Sequence, residues 1–562
     1  MSNRLLTYLG VALVAASAHA QFQPGDVFSD HTWRAPSSQG SQRITGSDAT
    51  DVRARANLPN PVNKVRLPDL TGAIRATAIV ELLTSHHGTH GAKIRVNGNA
   101  WIPIPYPNAA DIPGNRGQGL PVEEYLTMRY VSVRVPLNQL KKGDNTFEFD
   151  CSGKNGTALG RVWPQHLVYA TTFRIFWDAS KKTHATGQIT SPAPIAVIDK
   201  ELIAFTVKTA GANQVASVEY IGNYDDFNWR GNGKTGEWQH IIQFGKTLMH
   251  MGTATAAPWS ITWDNTWIPT QRDPFDVVAL IRDTTGVVYV TQPVAGLTLR
   301  RSKHVVRYKA SGIPRAWQTS AVHSPHSCEV NVTRSLTKAI AAKLYMVTWN
   351  GVAANAIGIN GKPLNVTPIG FNHNLFHHRI QVPVSRIRQG KNTLYTQSNT
   401  TSHGIEVQWP GMELFVRYDV PETWAQYVLF GRGCVGSKGE VKLANRGVPR
   451  LGQGWSVDLT GAPSATIAAL LVGASAEQWG QFQLPFDFTP QGATNCQLYT
   501  SLDLIYPVVT SPTGAASFSV VSPNVPALIG VSIFNQYVVV DLGANPLNST
   551  FTNGGRGTFG TW

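Results

Sequence analysis

Charged side chains are sparse in this 562-residue chain, at 15% of the total, and long amphipathic helical patterns are scarce with them. After residue 20 no stretch approaches the roughly 20 consecutive apolar residues that cross a bilayer as a helix, so no helical anchor is expected beyond that point. The local signatures of four common chemistries are missing: there is no H-E-x-x-H, no G-x-S-x-G elbow, no phosphate-binding glycine loop and no dinucleotide fingerprint. Enzymes that gather distant residues on a β scaffold remain open, because a paired-carboxylate glycosidase needs only two acids flanking one bond. Cysteine occurs four times, at Cys151, Cys328, Cys434 and Cys496, without the closely spaced ligand pairs of a compact structural zinc site. Cys434 and Cys496 share one C-terminal region and are expected to form a disulfide; for Cys151 and Cys328, buried thiols and a bridge across domains both stand.

What is present starts with a leader. Arg4 supplies a positive start, Leu5 to Ala16 an apolar run, and Ala18-His19-Ala20 a small-residue cleavage site. The expectation is a signal peptide over 1–20, cleaved after Ala20, and a secreted protein, extracellular or at the cell surface. Gly 51, Pro 34 and Trp 16 punctuate Val-, Ile-, Thr- and Tyr-rich runs, which is the composition of short strands and turns. An all-β, multi-domain chain of β-sandwiches follows, with a C-terminal disulfide-bearing β domain over 425–562.

One internal repeat is visible. Ile94-Arg95-Val96-Asn97-Gly98, Val135-Pro136 through Gly143-Asp144-Asn145-Thr146, Trp163-Pro164 and Ile175 to Asp178 recur in order as Ile357-Gly358-Ile359-Asn360-Gly361, Val382-Pro383 through Gly390-Lys391-Asn392-Thr393, Trp409-Pro410 and Val416 to Asp419. The Asn-Gly steps suit tight turns at strand ends. This pattern resembles the galactose-binding-domain-like, carbohydrate-binding jelly roll, which implies two jelly-roll-like copies at 55–180 and 301–420, after an N-terminal extension at 21–54. Between them, 187–300 contains Trp263-Asp264-Asn265-Thr266-Trp267-Ile268-Pro269 and a following hairpin. That unit resembles the bacterial immunoglobulin-like spacers of secreted proteins, with Trp263 and Trp267 in its core or at its edge.

Positive charge is concentrated. Residues 300–419 hold 15 Lys and Arg against 4 Asp and Glu, and seven of the sixteen His, whereas 434–562 holds 5 against 6. Guanidinium groups take carboxylates and sulfates in bidentate fashion and aromatic rings stack on sugar faces. Arg379, Arg386, Arg388, His403 and Trp409, with Trp163 in the first copy, are therefore the candidate ligand-binding residues for an anionic polysaccharide. The competing reading is a solvated basic face that keeps the protein soluble, and for Trp163 and Trp409 a shared core position. Nucleic acid is not an expected partner, since no fold motif for it is present. Asp225, Asp226, Asn228 and Asn232 offer four oxygen donors in one loop, a candidate structural calcium site, against an Asp/Asn-rich turn that bonds to itself. His86, His87 and His90, and His373 with His377 and His378, are weighed as metal ligands against polar loops. The function expected is an exported, non-catalytic glycan-binding protein. The alternatives are a lyase or glycoside hydrolase acting on uronate-containing glycans, with Arg379, His403 and Tyr395 as lyase candidates, and a structural or adhesive surface protein.

Overall fold

In the computed structural model, residues 22–36, 40–106, 125–153, 157–158, 161–234, 236–322, 325–366, 369–401, 403–421 and 425–561 are described. The expected leader lies outside them. The fold is nearly all strand, and among the described residues the one α-helix is the single turn Val52–Arg55. Two compact units divide the chain, residues 1–420 and 421–562.

The first unit contains two matching sandwiches. In the first, Val27–Arg34, Gln165–Trp177, Ala73–Thr84 and Thr127–Arg134 lie side by side, all antiparallel, facing a second sheet of Asn63–Leu67, Gly143–Gly153, Thr89–Val96 and Ile102–Pro103. Val80, Leu82, Ile94, Phe147, Phe149 and Phe173 fill the space between. Gly143–Gly153 alternates buried and half-buried residues, the period-2 pattern of a strand with one covered face, whereas every residue of Gln165–Trp177 is buried. In the second sandwich, His304–Tyr308, Glu413–Tyr418, Ala339–Trp349 and Leu375–Val382 face His326–Val332, Gly390–Gln397, Ala356–Ile359 and Lys362–Pro363, in the same order.

The duplicated sequence motif is a duplicated hydrogen-bond lock. Asn145 is fully buried; its Oδ1 accepts from the Lys141 amide at 2.9 Å and its Nδ2 donates to the Lys141 and Gly143 carbonyls at 2.7 and 3.0 Å. Asn97, at φ +51°, donates to the Gln139 carbonyl and to Asn145 Oδ1 and accepts from the Thr146 amide. Asn392 and Asn360 repeat each bond with Arg388, Gly390, Arg386 and Thr393. Asn is required twice over, because it tolerates a left-handed backbone and carries a donor and an acceptor on one short amide.

Between the sandwiches, Ala185–Ser191, Leu202–Gly211 and Ser260–Asp264 pack on a sheet containing Val215–Asp225, Phe275–Asp283 and Val294–Leu299. Phe205, Tyr220, Trp263 and Phe275 form its core, so Trp263 is internal, and Trp267 is partly buried beneath the Lys343 ammonium. The expected N-terminal extension is corrected here. Residues 27–34 form a strand that pairs with Gln165–Trp177 on one side and with Val287–Tyr289 on the other, joining the first sandwich and the middle module into one continuous sheet. Phe28, Phe176, Val278, Val288 and Val290 seal that join. No turn signal separates 21–54 from a neighbour in sequence because its pairing partners lie more than a hundred residues away.

The second unit is a further sandwich. Gln426–Phe430, Gly554–Thr558, Ser532–Val540, Ile467–Gly473 and Leu504–Val509 form one sheet, and Lys442–Arg446, Gly454–Thr460 and Ala516–Val521 the other, around Trp455, Val457, Leu470 and Tyr537. Cys434 and Cys496 form the expected disulfide, while Cys151 and Cys328 are buried free thiols in separate sandwiches.

Replacing Asn145 or Asn392 by Ala removes one amide's worth of buried bonds and leaves backbone groups unpaired, at a cost of about 3 kcal/mol. Each variant is expected to lower the denaturation midpoint of the first unit by a similar amount, measured by chemical unfolding, since the two locks are equivalent.

Candidate functional site

The loop Tyr224–Gly233 explains how the three modules of the first unit hold together. Its apolar members turn inward: Phe227 is 0% and Trp229 3% exposed. They join Leu83, Met128, Tyr130 and Tyr169 from the first sandwich and Tyr345, Val347, Trp349 and Phe415 from the second in one hydrophobic cluster. The polar members of the loop bond locally. Asn228 Oδ1 accepts from the Asn232 amide, Asn232 Nδ2 donates to both oxygens of Glu237, and Asn232 Oδ1 accepts from the Lys234 amide. Asp226 Oδ2 accepts from the Trp229 indole at 3.4 Å, and Asp225 is exposed. Of the four proposed calcium donors, Asn228 and Asn232 are thus spent on the turn itself, and among the described residues no group of three His, Cys, Asp or Glu is placed to hold a metal. Asn228 and Asn232 thus make the bonds expected of the self-bonded turn, the alternative weighed against calcium for Asp225, Asp226, Asn228 and Asn232.

A hairpin completes the junction. Ile241–Gln243 pairs with Lys246–Leu248 through a turn at Phe244 and Gly245, both at positive φ. A Cβ on Gly245 would sit 2.6 Å from Thr32 Oγ1, so the hairpin rests directly on the first sandwich. Arg34 adds a bond to the Phe244 carbonyl and lies over its ring. A cleft of ≈ 410 Å³ opens where this hairpin meets the second sandwich, lined by Arg34, Gln243, Phe244, Lys246, Leu248, Met249, and by Phe371, Asn374, Leu375, Phe376 and His377. Phe371 is 52% exposed. Among the described residues, no Asp or Glu lines the cleft. His377 Nε2 is buried without a partner, and burial together with the nearby Arg379 guanidinium lowers its pKa to about 4, so the ring is neutral at pH 7.

Two acids lie in the same junction. Glu81 is buried beside the Phe244 and Gly245 amides, and burial raises its pKa to about 8 against the opposing pull of those amides and of Arg34. Glu406 is raised to about 8 by burial alone, with Oε2 unpartnered; the Gln408 amide two residues on is unpartnered as well. Both carboxyls therefore carry protons at neutral pH, and Glu81, the one beside Phe244 and Arg34, does not offset the positive charge of Arg34.

The sequence-predicted ligand residues are not gathered on one face. Arg379 lies over the Trp229 and Tyr345 rings and its Nη2 approaches Met249 Sδ at 3.7 Å, next to the cleft. Arg386 donates to the Pro363 carbonyl, and Arg388 is exposed on the turn locked by Asn392. These two follow the strand Leu375–Val382, while His403 sits beside His373 before it; eight residues of strand, about 23 Å, separate the groups. Trp409 is 4% exposed, packed with Tyr125, and its amide donates to the Leu126 carbonyl at 2.7 Å. It is core, not a sugar platform. Trp163 is half-buried with the Arg53 and Arg43 guanidiniums over its ring. Tyr395 lies in the opposite sheet against Gly358, so Arg379, His403 and Tyr395 do not assemble a lyase centre. Several other cations of the basic segment are spent internally. Arg307 pairs with Glu413 at 2.5 Å and bonds to the Asp226 carbonyl, Arg301 bonds to the Asn265 and Ile268 carbonyls, and Arg417 pairs with Glu201. In the first copy, His86 Nδ1 bonds to the Trp163 carbonyl and His90 Nδ1 to the Ser152 carbonyl, the polar-loop alternative to metal binding. Of the cleft lining, sequence reasoning named His377 alone, weighed as a metal ligand; Phe371 falls beside His373 without any periodic signal.

No protein-family model matches the chain, and no curated protein matches it. Solved structures similar in part include a β-porphyranase of glycoside hydrolase family 86 from Bacteroides plebeius, at 18% identity over 41% of this chain and 38% of the enzyme, TM-score 0.18. An α-L-rhamnosidase from Dictyoglumus thermophilum matches at 10% identity over 67% of this chain and 47% of that one, TM-score 0.16. A 1.5-MDa bacterial ice-binding adhesin, in a structure concerned with host cell surface retention, matches at 10% over 67% and 98%, TM-score 0.14. The chain spans less than half the length of either enzyme. Likeness at these TM-scores carries no argument about activity.

A carboxyl whose folded pKa is raised holds its full stabilising share below its unfolded value near 4.5 and loses it as pH rises through about 8. Buried imidazoles of the same unit, His86, His166, His377 and His378, are held neutral and pull the other way as pH falls, so the carboxyl effect is read as a difference between parent and variant. Relative to Glu81→Gln and to Glu406→Gln, which cannot ionise, the parent is expected to lose stability between pH 5 and pH 9, measured by thermal melts of the three proteins side by side.

Proposed function

We propose that this is an exported, non-catalytic protein that binds an anionic polysaccharide in the three-module cleft, with the matched sandwiches acting as galactose-binding-domain-like modules. The observation that carries this reading is the lining itself. Arg34 and Lys246 present cations, Phe244, Phe371 and Phe376 present rings, Gln243 and Asn374 present amides, and among the described residues no carboxylate is part of the lining. Guanidinium and ammonium groups take uronate carboxylates or sulfates, rings cover the apolar faces of pyranoses, and amides bond to hydroxyls. Arg379 extends the positive field along the second sandwich. The ligand-binding assignment accordingly moves from Arg386, Arg388, His403, Trp409 and Trp163 to Arg34, Lys246, Phe371, Asn374 and Arg379. Export rests on the leader read in the sequence, and attachment to the cell surface is left to the second unit.

Affinity electrophoresis of the full chain in gels containing alginate or heparin tests the assignment. Retardation is expected, weakening as salt rises because exposed ion pairs are screened. Arg34→Ala and Phe371→Ala should each weaken it about tenfold, the effect of losing one charge-assisted hydrogen bond or one stacking ring, whereas Arg388→Ala should leave it unchanged. Equal retardation of all four proteins would remove the cleft from the reading, and release of unsaturated sugar products during incubation would replace binding with cleavage.

A further inference from the structure

At the rim of the cleft, His373 Nε2 and His403 Nδ1 stand 2.9 Å apart with their rings perpendicular at 89°. We propose that this pair is a binding site for copper(II), which uses two imidazoles of the chain and leaves its remaining positions to water or to an anionic ligand.

The pair is held by backbone, not by chance packing of two surface rings. Asn350, in the left-handed region at φ +55°, donates from Nδ2 to the His403 and Gly404 carbonyls at 3.3 and 3.1 Å, and its Oδ1 accepts from the His373 amide at 3.1 Å. One asparagine thus ties together two loops thirty residues apart. His373 itself sits at φ +48°, and the Trp349 indole walls the pair edge-on at 5.2 Å from His373 and 6.4 Å from His403. Two nitrogens bound cis to one metal at about 2.0–2.1 Å each lie about 2.9 Å apart. In the metal-free pair the two nitrogens share a hydrogen bond, one carrying its proton; copper(II) would replace that bond at the same separation once the proton moves to the far ring nitrogen and the rings turn both lone pairs to a common point. No acid contributes, so the site selects imidazole-seeking ions over calcium or magnesium. His403 is exposed, so the ion reaches the pair from solvent, and Asn374, adjacent to His373, already lines the cleft.

Calorimetric titration of the untagged full chain with copper(II) chloride near pH 7.5 in a weakly coordinating buffer, in the absence of glycan, decides the matter. Uptake of one equivalent is expected, weakened at least tenfold in His403→Ala and in His373→Asn, the latter chosen because Asn keeps the left-handed backbone, and unchanged in His184→Ala. Uptake by the parent should also fall as pH drops through the imidazole range. No uptake by the parent, or the same uptake in all four proteins, overturns the site. Because the readout contains no polysaccharide, either result leaves the anionic-glycan reading to its own test.

Discussion

Insertion of Phe227 and Trp229 between the two sandwiches is the contact on which the first unit depends. A buried tryptophan removes roughly 200 Å² from water, on the order of 5 kcal/mol, and the 241–249 hairpin supports the wedge from the side by contacting both sandwiches as well. Around this wedge the stacked rings of Tyr345 and Phe415, centroids 4.0 Å apart, and the Arg307–Glu413 pair close the junction. A buried ion pair offsets its desolvation only when further hydrogen bonds complete it. Arg307 meets that condition by also bonding to the Asp226 carbonyl, at the base of the same wedge. The loop that the sequence offered as a calcium site is thus a mechanical part: its Asn and Asp side chains fold the turn so that its two aromatics can leave it.

That use of charge explains how far the sequence could be read. A net positive segment at 300–419 suggests an external polyanion when every side chain is counted as solvated. Arg301 and Arg417 are instead consumed by carbonyls and an acid of the middle module, distant in sequence and invisible to any local count, and Arg307 by Glu413 of its own sandwich together with the Asp226 carbonyl. The repeat was legible for the opposite reason. Asn97, Asn145, Asn360 and Asn392 act through backbone groups a few residues away or one strand over, so their spacing and their identity are fixed together. Trp163 and Trp409 mark the limit of that logic: equivalent places in the motif, one beneath two guanidiniums and the other buried against Tyr125.

The cleft had no sequence signature because no segment owns it. Arg34 comes from a strand shared by two sheets, residues 243–249 from a hairpin whose Gly245 is pressed against Thr32, and residues 371–377 from the approach to a strand of the second sandwich. Each piece taken alone is a bland surface. Glu81, beside the Phe244 and Gly245 amides of that hairpin, is kept neutral by burial, so it adds no negative charge next to Arg34.

A binding surface of this kind cannot be cut out of the chain. Residues 300–419 produced alone would lose Arg34, Lys246 and Phe244, expose Tyr345, Trp349 and Phe415, free Arg301 and Arg417 from their partners, and strip Arg307 of its bond to the Asp226 carbonyl. Such a fragment would carry more unpaired positive charge than the same residues carry in the intact unit, and retention of it by a polyanion would report that artificial charge. Only single substitutions in the whole protein separate the cations that face solvent at the cleft from those that hold the modules together.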